Sequence, residues 1–304
     1  MKRIASIDIG TNTFLLLIAE AKPNNELIVL YEAIEIARLG ENVDKIGKIS
    51  DLAVERANSI LKDYVNICNK FDVNLILPVG TSALRDATNS CDVASTFSNT
   101  IGFPINIISG EKEAELSYLG TVENENSNIV IDIGGGSSEV IIGNKKGILY
   151  KKSLQIGAVR LTERYFKQTH PPSVNSITLA KKDILKQLSD FKSIEDIDTT
   201  YAVAGTATTL ATTLLDLDDF EVERINGLEI SFEQIESLFT MYYESSIQEI
   251  ISKFKVHPKR ADLILAGTLI MKTIMEQLAL SKIKVSTRGL RYGILIDYIQ
   301  KSLN

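Results

Sequence analysis

Ile131-Asp132-Ile133-Gly134-Gly135-Gly136-Ser137-Ser138-Glu139 is an apolar strand that ends in an acid, three glycines, two hydroxyls and a second acid. Residues 128–133 form a β-branched run typical of a buried strand, and three consecutive glycines end that run in a sharp turn. Because glycine lacks a Cβ, the N–H groups of such a turn can approach an anion closely, and Ser137 and Ser138 add hydroxyl donors. Alone, this pattern predicts either a phosphate-binding loop or an ordinary hairpin turn.

A second copy of the pattern near the N-terminus favours the phosphate-binding loop. Residues 4–13 again have an apolar strand, an Asp-Ile-Gly sequence at 8–10, and then hydroxyl and amide side chains at 11–13. In both copies two further strands follow, and the segments Arg38-Leu39-Gly40 and Gln155-Ile156-Gly157 then precede a helical pattern. An internal repeat of this length predicts two similar lobes that face each other across a cleft, each with one phosphate-binding hairpin.

The rest of the chain alternates strand and helix patterns, which is typical of α/β layers. We expect helices over 50–70, 158–166, 176–192, 231–243, 258–278 and 290–301, and strands over 73–79, 105–108, 201–204 and 284–286. The polar segment 123–127 predicts the domain boundary. The expected domains are therefore 1–124 and 125–304, with the last helix able to pack back on the first domain.

The composition argues against several classes of protein. With 304 residues, 44 % hydrophobic residues and a net charge of −6, the chain can build two cores and is not a general nucleic-acid binder. The longest apolar run, 14–19, is too short to span a membrane, and no signal-peptide pattern is present, so we expect a cytoplasmic protein. Cys68 and Cys91 have no metal-ligand spacing, and His170 and His257 precede prolines, so neither residue type predicts a site.

A polyanionic ligand would need a local basic patch, because the net charge is negative. The candidate residues are Lys145, Lys146, Lys151 and Lys152 around the second hairpin, and Lys282, Lys284, Arg288 and Arg291 near the C-terminus. Most such side chains are ordinary solvated surface.

Three further motifs have the layout of a strand followed by glycine, hydroxyls and a helix. Gly80 to Ala87 is one, with Arg85 in the first helical turn, and Gly205 with Thr206 is another. In the third, Ser109 is the expected N-cap of a helix whose start carries Glu111, Glu113 and Glu115. The residues alone do not choose among these three acids.

Together these motifs resemble those of the exopolyphosphatase/guanosine pentaphosphate phosphohydrolase (Ppx/GppA) family. The motifs are Asp8 to Thr13, Gly80 to Ala87, Ser109 to Ala114, Asp132 to Glu139 and Ala204 to Thr208. The resemblance covers nearly the whole chain and implies two ribonuclease-H-like domains of the actin, sugar kinase and Hsp70 type. It also implies Mg²⁺-dependent hydrolysis of a terminal phosphoanhydride, in the short two-domain form of the family.

The resemblance assigns a role to each motif residue. Glu113 matches the glutamate that positions or deprotonates the attacking water, and Arg85 matches the arginine that grips a phosphate. Asp132 and Glu139 match the acids associated with the metal and the water, and Asp8 serves either the metal or the integrity of the first loop. The residues expected to bind phosphate are Thr11, Asn12, Thr13, Gly134, Gly135, Gly136, Ser137, Gly205 and Thr206. The family's first loop often has serine where this chain has Thr11 and Thr13, and the exchange keeps both hydroxyls.

The expected function is therefore an exopolyphosphatase that releases orthophosphate from the end of inorganic polyphosphate. The alternative within the family is hydrolysis of guanosine pentaphosphate (pppGpp), since both substrates present a similar phosphate end. A kinase of the same fold and a non-catalytic regulator that binds polyphosphate or an alarmone are less favoured. The resemblance also makes a homodimer the expected assembly.

Overall fold

The computed structural model describes residues 2–22, 26–166, 169–191 and 196–302. The chain forms two compact units: unit 1 is Met1–Glu123 together with Arg288–Asn304, and unit 2 is Asn124–Thr287. The boundary after residue 123 lies in the polar segment where the sequence predicts it. Residues 288–304, which contain the last helix, belong to unit 1, as the expectation that this helix can pack back on the first domain allowed.

Unit 1 is built on a five-stranded mixed sheet with the strand order β3-β2-β1-β4-β5. Strand β1 pairs antiparallel with β2 and parallel with β4. Its elements before residue 124 are β1 (Lys2–Ile9), β2 (Thr13–Ala21), β3 (Leu27–Ile36), α1 (Val43–Ile46), α2 (Asp51–Lys70), β4 (Leu75–Gly80), α3 (Ser82–Asp86), α4 (Ser90–Ile101), β5 (Asn106–Ile107) and α5 (Gly110–Thr121).

Unit 2 has a six-stranded mixed sheet with the order β10-β11-β9-β6-β7-β8. Its elements are β6 (Asn128–Ile133), β7 (Ser138–Asn144), β8 (Gly147–Leu154), α6 (Ala158–Leu161) continued by a π-helical turn (Thr162–Phe166), α7 (Val174–Gln187), β9 (Thr199–Val203), α8 (Ala204–Leu214), α9 (Val222–Ile225), β10 (Glu229–Ser231), α10 (Phe232–Glu244), α11 (Ile247–Ser252), α12 (Pro258–Ala261), α13 (Ile264–Gln277) and β11 (Lys282–Val285). The chain then returns to unit 1 as α14 (Leu290–Ser302).

The two sheets repeat one plan, as the sequence repeat predicts. In unit 2 the antiparallel meander β6-β7-β8 corresponds to β1-β2-β3, and β9 pairs parallel with β6 as β4 pairs with β1. Strand β10 is an addition at the edge of the second sheet, antiparallel to β11. Two α/β domains of ribonuclease-H-like order are therefore confirmed.

Local signals in the sequence account for the elements next to the repeated motifs. Ser50 caps α2, since its side chain accepts from Ala53 N at 3.3 Å, and the apolar face of α2 is buried along its length. Ser109 caps α5 in the same way and accepts from Lys112 N at 3.2 Å. All six residues of β6 are buried, as expected of a strand covered on both faces.

Helix α14 completes unit 1 by packing against α5. Gly120 and Gly293 lie at this crossing, and a Cβ on Gly293 would overlap the carbonyl group of Leu116. Lys112 bridges the two helices through its ion pair with Asp297 at 3.1 Å. The C-terminal segment therefore supports the helix that carries Glu113.

No helix in the described part of the chain combines the length and the apolar character needed to cross a membrane.

Candidate active site

The first phosphate loop, residues 10–13, connects β1 to β2 and is fixed by the segment that follows β3. Gly40 N donates to the carbonyl of Thr11 at 2.8 Å, and Arg38 N donates to that of Asn12 at 2.9 Å. A Cβ at Gly40 would overlap the Thr11 side chain, and one at Gly10 would lie 2.6 Å from the carbonyl oxygen of Thr13. The loop therefore needs glycine at both positions.

The side chain of Asn12 has unused hydrogen-bonding capacity. Its Oδ1 is buried and has no hydrogen-bond partner among the residues that the structure describes. Its Nδ2 reaches only Thr13 Oγ1, at 3.5 Å, which is at the limit of a hydrogen bond. Because a buried polar atom without a partner raises the free energy of the folded protein, this amide is a candidate to contact a ligand or its water.

Arg85 and Glu113 form an ion pair in unit 1. Arg85 Nη1 donates to Glu113 Oε2 at 3.0 Å and to the carbonyl of Ile108 at 3.0 Å. Its Nη2 is buried and has no hydrogen-bond partner within the described ranges of the chain. One edge of the guanidinium thus holds the carboxylate, and Nη2 provides a donor for an anion.

The neighbouring acids of α5 have different surroundings. Glu111 is exposed, and Glu115 forms an ion pair with Lys112 at 3.3 Å. Glu113 is 9 % exposed and is the acid that meets Arg85. The structure thus separates three acids that the spacing alone left equivalent.

The second phosphate loop, residues 134–137, repeats in unit 2 the support seen in unit 1. Gly134 N donates to the carbonyl of Ser137 at 3.0 Å, which closes the turn. Ala158 N donates to the carbonyl of Gly134 at 2.9 Å, and a Cβ on Gly157 would overlap the backbone of Gly135. Gly40 and Gly157, which occupy matching places in the sequence repeat, are both held against a phosphate loop.

Asp132 and Glu139 are directly opposite each other across the β6–β7 pair, so their side chains share one face of the sheet. They are 8 % and 1 % exposed, and Glu139 Oε1 accepts from Ser153 Oγ at 2.7 Å. Two carboxylates in this relation repel each other unless a cation lies near them. Their oxygen atoms are the donors that Mg²⁺ prefers.

Metal binding at this pair does not need a larger protein cluster. No group of three or more His, Cys, Asp or Glu residues arranged to hold a metal occurs in the part of the chain that the structure describes. Mg²⁺ commonly keeps several waters and binds through one or two carboxylates together with substrate phosphates. Asp132 and Glu139 therefore fit a phosphate-dependent Mg²⁺ site, and a metal role for Asp8, which lies on β1, stays a prediction.

Gly205 and Thr206 do not form the turn that the sequence predicts. Helix α8 begins directly after β9, and its first residue, Ala204, has a left-handed backbone with φ of 67°. The carbonyl of Gly205 accepts from Arg260 Nη1 at 2.9 Å, and Thr206 packs against Gly267. Both residues lie in the first turn of a helix, and their role in substrate binding stays a prediction.

Several predicted basic residues are engaged in ion pairs. Arg291 is 2 % exposed and pairs with Glu32 at 2.9 Å, while Arg288 pairs with Glu123. The lysines Lys152 and Lys282 pair with Asp190 and Glu229. These contacts make Arg288 and Arg291 part of the structure of unit 1 rather than an open basic surface.

Sequence reasoning missed the residues that support the second loop. Ser153 on β8 and Arg160 on α6 bond directly to Glu139 and Gly136. Neither residue belongs to a motif with a recognisable spacing. For Ser153, the signal was the alternation of β8, which places it opposite Glu139.

Two units with the same order of their central strands, each with a glycine-containing loop after its first strand, define a protein of the actin-like class. The Ppx/GppA phosphatase family model matches residues 17–302 of the chain. The chain belongs to this family.

Curated relatives carry different names. A bifunctional 3-dehydroquinate synthase/phosphatase of Fusobacterium nucleatum is 34 % identical over 97 % of this chain, which spans only 46 % of that protein. Exopolyphosphatase 2 of Mycobacterium tuberculosis is 28 % identical over 98 % of both chains. A guanosine-5'-triphosphate,3'-diphosphate pyrophosphatase of Pseudoalteromonas translucida is 26 % identical over 99 % of this chain and 60 % of its own length.

Solved structures agree with the family. The Aquifex aeolicus member of the Ppx/GppA family has a TM-score of 0.83 and 30 % identity, with 100 % of this chain and 99 % of that chain covered. An exopolyphosphatase from Cytophaga hutchinsonii has a TM-score of 0.88 and 26 % identity, with 99 % and 98 % covered. Membership of this family makes the protein a phosphoanhydride hydrolase.

Proposed function

We propose that the protein is an exopolyphosphatase that hydrolyses the terminal phosphoanhydride of inorganic polyphosphate and releases orthophosphate. The observation that carries this proposal is the pairing of Arg85 with Glu113, in which a buried guanidinium nitrogen, Nη2, is left to receive an anion. The relative from Mycobacterium tuberculosis, which this chain matches over almost its whole length, supports the choice of substrate.

Glu113 acts on the water in this scheme. Phosphoryl transfer requires little covalent chemistry from the protein, and a carboxylate that orients or deprotonates the attacking water is sufficient. The bond from Arg85 Nη1 holds one oxygen of the Glu113 carboxylate in place. Arg85 Nη2 then stabilises the charge on the phosphate that is attacked.

Each of the two loops binds phosphate in this proposal. Thr11, Asn12 and Thr13 supply hydroxyl and amide groups from unit 1. Residues 134–137 supply backbone N–H groups and a hydroxyl from unit 2. Mg²⁺ held by Asp132 and Glu139 would neutralise charge on the bridging and terminal oxygens.

Hydrolysis of pppGpp is the second candidate. It is supported by the relative from Pseudoalteromonas translucida, although this chain spans 60 % of that protein. Both substrates end in a phosphoanhydride, so the same loops and the same Glu113 serve either reaction. The choice depends on groups that bind the rest of the substrate.

Phosphate release by the purified protein, with Mg²⁺, from long polyphosphate, short polyphosphate and pppGpp tests the proposal. We expect the highest kcat/KM on a polyphosphate. A preference for pppGpp would select the second candidate, and no release from any of the three would reject both. Transfer of phosphate from ATP to a sugar or acid, with little activity in the absence of that acceptor, would instead indicate a kinase.

We further propose a homodimer and residence in the cytoplasm. Light scattering of the purified protein tests the first, with twice the mass of one chain expected. Fractionation of cells tests the second.

A further inference from the structure

Three carbonyl groups of the second phosphate loop are bound by one short segment of the chain, residues 158–160. Ala158 N donates to the carbonyl of Gly134 at 2.9 Å, and Val159 N and Arg160 N donate to that of Gly135 at 2.8 and 3.1 Å. The carbonyl of Gly136 accepts from the side chain of Arg160, whose Nε lies 2.7 Å away. The carbonyl of Gly136 is thus held by a side chain, whereas backbone N–H groups hold those of Gly134 and Gly135.

These bonds determine where the N–H groups of the loop point. In a trans peptide the C=O and N–H of one peptide plane point in opposite directions. Carbonyls turned towards α6 therefore turn the N–H groups of Gly135, Gly136 and Ser137 away from α6. Successive N–H groups on one side of a turn form a concave site for an anion.

The peptide between Gly136 and Ser137 also needs such a restraint, because it follows a glycine. Glycine permits backbone conformations that other residues avoid, so this peptide plane can rotate at low cost. In the first phosphate loop, backbone N–H groups of Arg38 and Gly40 bind the carbonyls. In the second loop the Arg160 guanidinium binds the carbonyl of the peptide between Gly136 and Ser137.

We propose that Arg160 is a positioning residue for the second phosphate loop: its Nε–H bond to the Gly136 carbonyl directs the N–H of Ser137 towards the bound phosphate. The proposal rests on the proposed function of this loop as a phosphate site. Arg160 acts through the loop and not by contact with the substrate.

Three substitutions separate this hydrogen bond from the charge of the arginine. In Arg160→Gln the amide nitrogen follows Cδ, as Nε does in arginine, so the bond to Gly136 can be kept without the charge. In Arg160→Lys the charge is kept, but a methylene occupies the position of Nε. Arg160→Met removes both the hydrogen bond to Gly136 and the positive charge.

The four proteins are compared by phosphate release from polyphosphate and by calorimetric titration with orthophosphate, with the melting temperature as a control for folding. We expect Arg160→Gln to stay within about threefold of wild type, and Arg160→Lys and Arg160→Met to lose about tenfold, chiefly in KM and in orthophosphate affinity. Wild-type behaviour of Arg160→Lys with loss in Arg160→Gln would overturn the proposal, because charge would then be the property that matters. Equal behaviour of all four proteins would overturn it as well.

The two readouts separate this proposal from the proposed function. If wild type binds orthophosphate but releases none from polyphosphate, the function is wrong, and the order of orthophosphate affinities still decides the role of Arg160. If wild type releases phosphate and the expected order is absent, the Arg160 proposal fails alone. If wild type does not bind orthophosphate, the loop is not a phosphate site and the Arg160 proposal is rejected.

Discussion

At the scale of single residues, Arg85 combines two contacts that a lysine cannot make together. Its Nη1 binds Glu113 and the Ile108 carbonyl, each at 3.0 Å, and its Nη2 is the buried donor that we assign to phosphate. A guanidinium presents these donors in a fixed plane, whereas an ammonium is a point charge. The orientation of the acid and the binding of the anion are therefore linked through one side chain.

Arg85→Lys should lower kcat/KM for polyphosphate by about 10- to 100-fold, since at least one charge-assisted hydrogen bond is lost. Steady-state phosphate release measures the effect. Arg224→Lys is the matched control, because Arg224 is half exposed and pairs only across one helical turn with Glu221. Equal kinetics of the two variants would contradict the role of Arg85.

Asp132→Asn should weaken the binding of Mg²⁺ at the proposed metal site. The substitution removes one of two facing carboxylates, so the Mg²⁺ concentration for half-maximal phosphate release should rise about tenfold or more. Asp218→Asn is the control, since that side chain is 84 % exposed and pairs with Lys255. An unchanged Mg²⁺ requirement in Asp132→Asn would exclude this carboxylate as a metal ligand.

Spacing alone could not identify Glu113 among the acids of α5. All three acids lie within the first two turns of α5, and its polar and apolar residues do not form a clear stripe. Which acid is buried depends on the packing of α5 against α14 and on the contact of Glu113 with Arg85 of α3. Both are long-range contacts, and only the family resemblance could anticipate their result.

At the scale of elements, the crossing of α5 and α14 depends on glycine. Gly293→Ala should destabilise the protein by about 3 kcal/mol, because the new methyl group would overlap the Leu116 carbonyl. Since α5 carries Glu113, phosphate release should fall as well. Thermal unfolding and the activity assay measure both effects.

Gly102→Ala provides the comparison for Gly293→Ala. Gly102 ends α4 with φ of 79°, and a Cβ added there would meet open space. Alanine at this position should therefore destabilise the protein by only about 1 kcal/mol, because of the left-handed backbone. We expect this variant to keep its activity. Equal loss of stability and activity in both variants would contradict the close packing of α5 against α14.

The same crossing should give a small dependence of stability on pH. Burial opposes ionisation of Asp297, but hydrogen bonds from Lys301 and Lys112 outweigh it and hold the pKa of the carboxyl below its usual value of 3.8. Such a group stabilises the folded state above its unfolded pKa, and the contribution is lost as the pH falls through the folded pKa.

Asp297→Asn should therefore melt at a lower temperature than wild type at pH 7, and the difference should shrink below pH 3. Asp63→Asn, an exposed position on α2, serves as the control and should follow wild type at both pH values. A constant difference between Asp297→Asn and wild type across this range would argue against the ion pairs.

Element prediction from sequence succeeded where the cap and the periodicity were strong, as in α2. It failed at 258–278, where the structure has two helices, α12 and α13, separated at Asp262 and Leu263. Most of α13 is buried on all sides, so the apolar pattern continues through the break and hides it. Strand β10 was also missed, because three residues are too few for a periodic signal.

At the scale of the whole molecule, the repeat of two hairpins was sufficient to predict two domains of one fold. The support of each phosphate loop by a glycine of the next segment, Gly40 or Gly157, follows the same repeat. The sequence allows the last helix to pack back on the first domain, but no change of composition marks residue 288 as the point where the chain returns to unit 1. That point depends on the fit of α14 against α5, which only the folded chain displays.

We propose that Glu113 directs water at the terminal phosphate of the substrate. The most direct test of this role is orthophosphate release from polyphosphate, with Mg²⁺, by wild type, Glu113→Gln and Glu111→Gln. We predict that Glu113→Gln loses at least about 100-fold in kcat while it keeps its melting temperature and its affinity for tripolyphosphate, and that Glu111→Gln behaves as wild type. Release at the wild-type rate by Glu113→Gln would contradict the account.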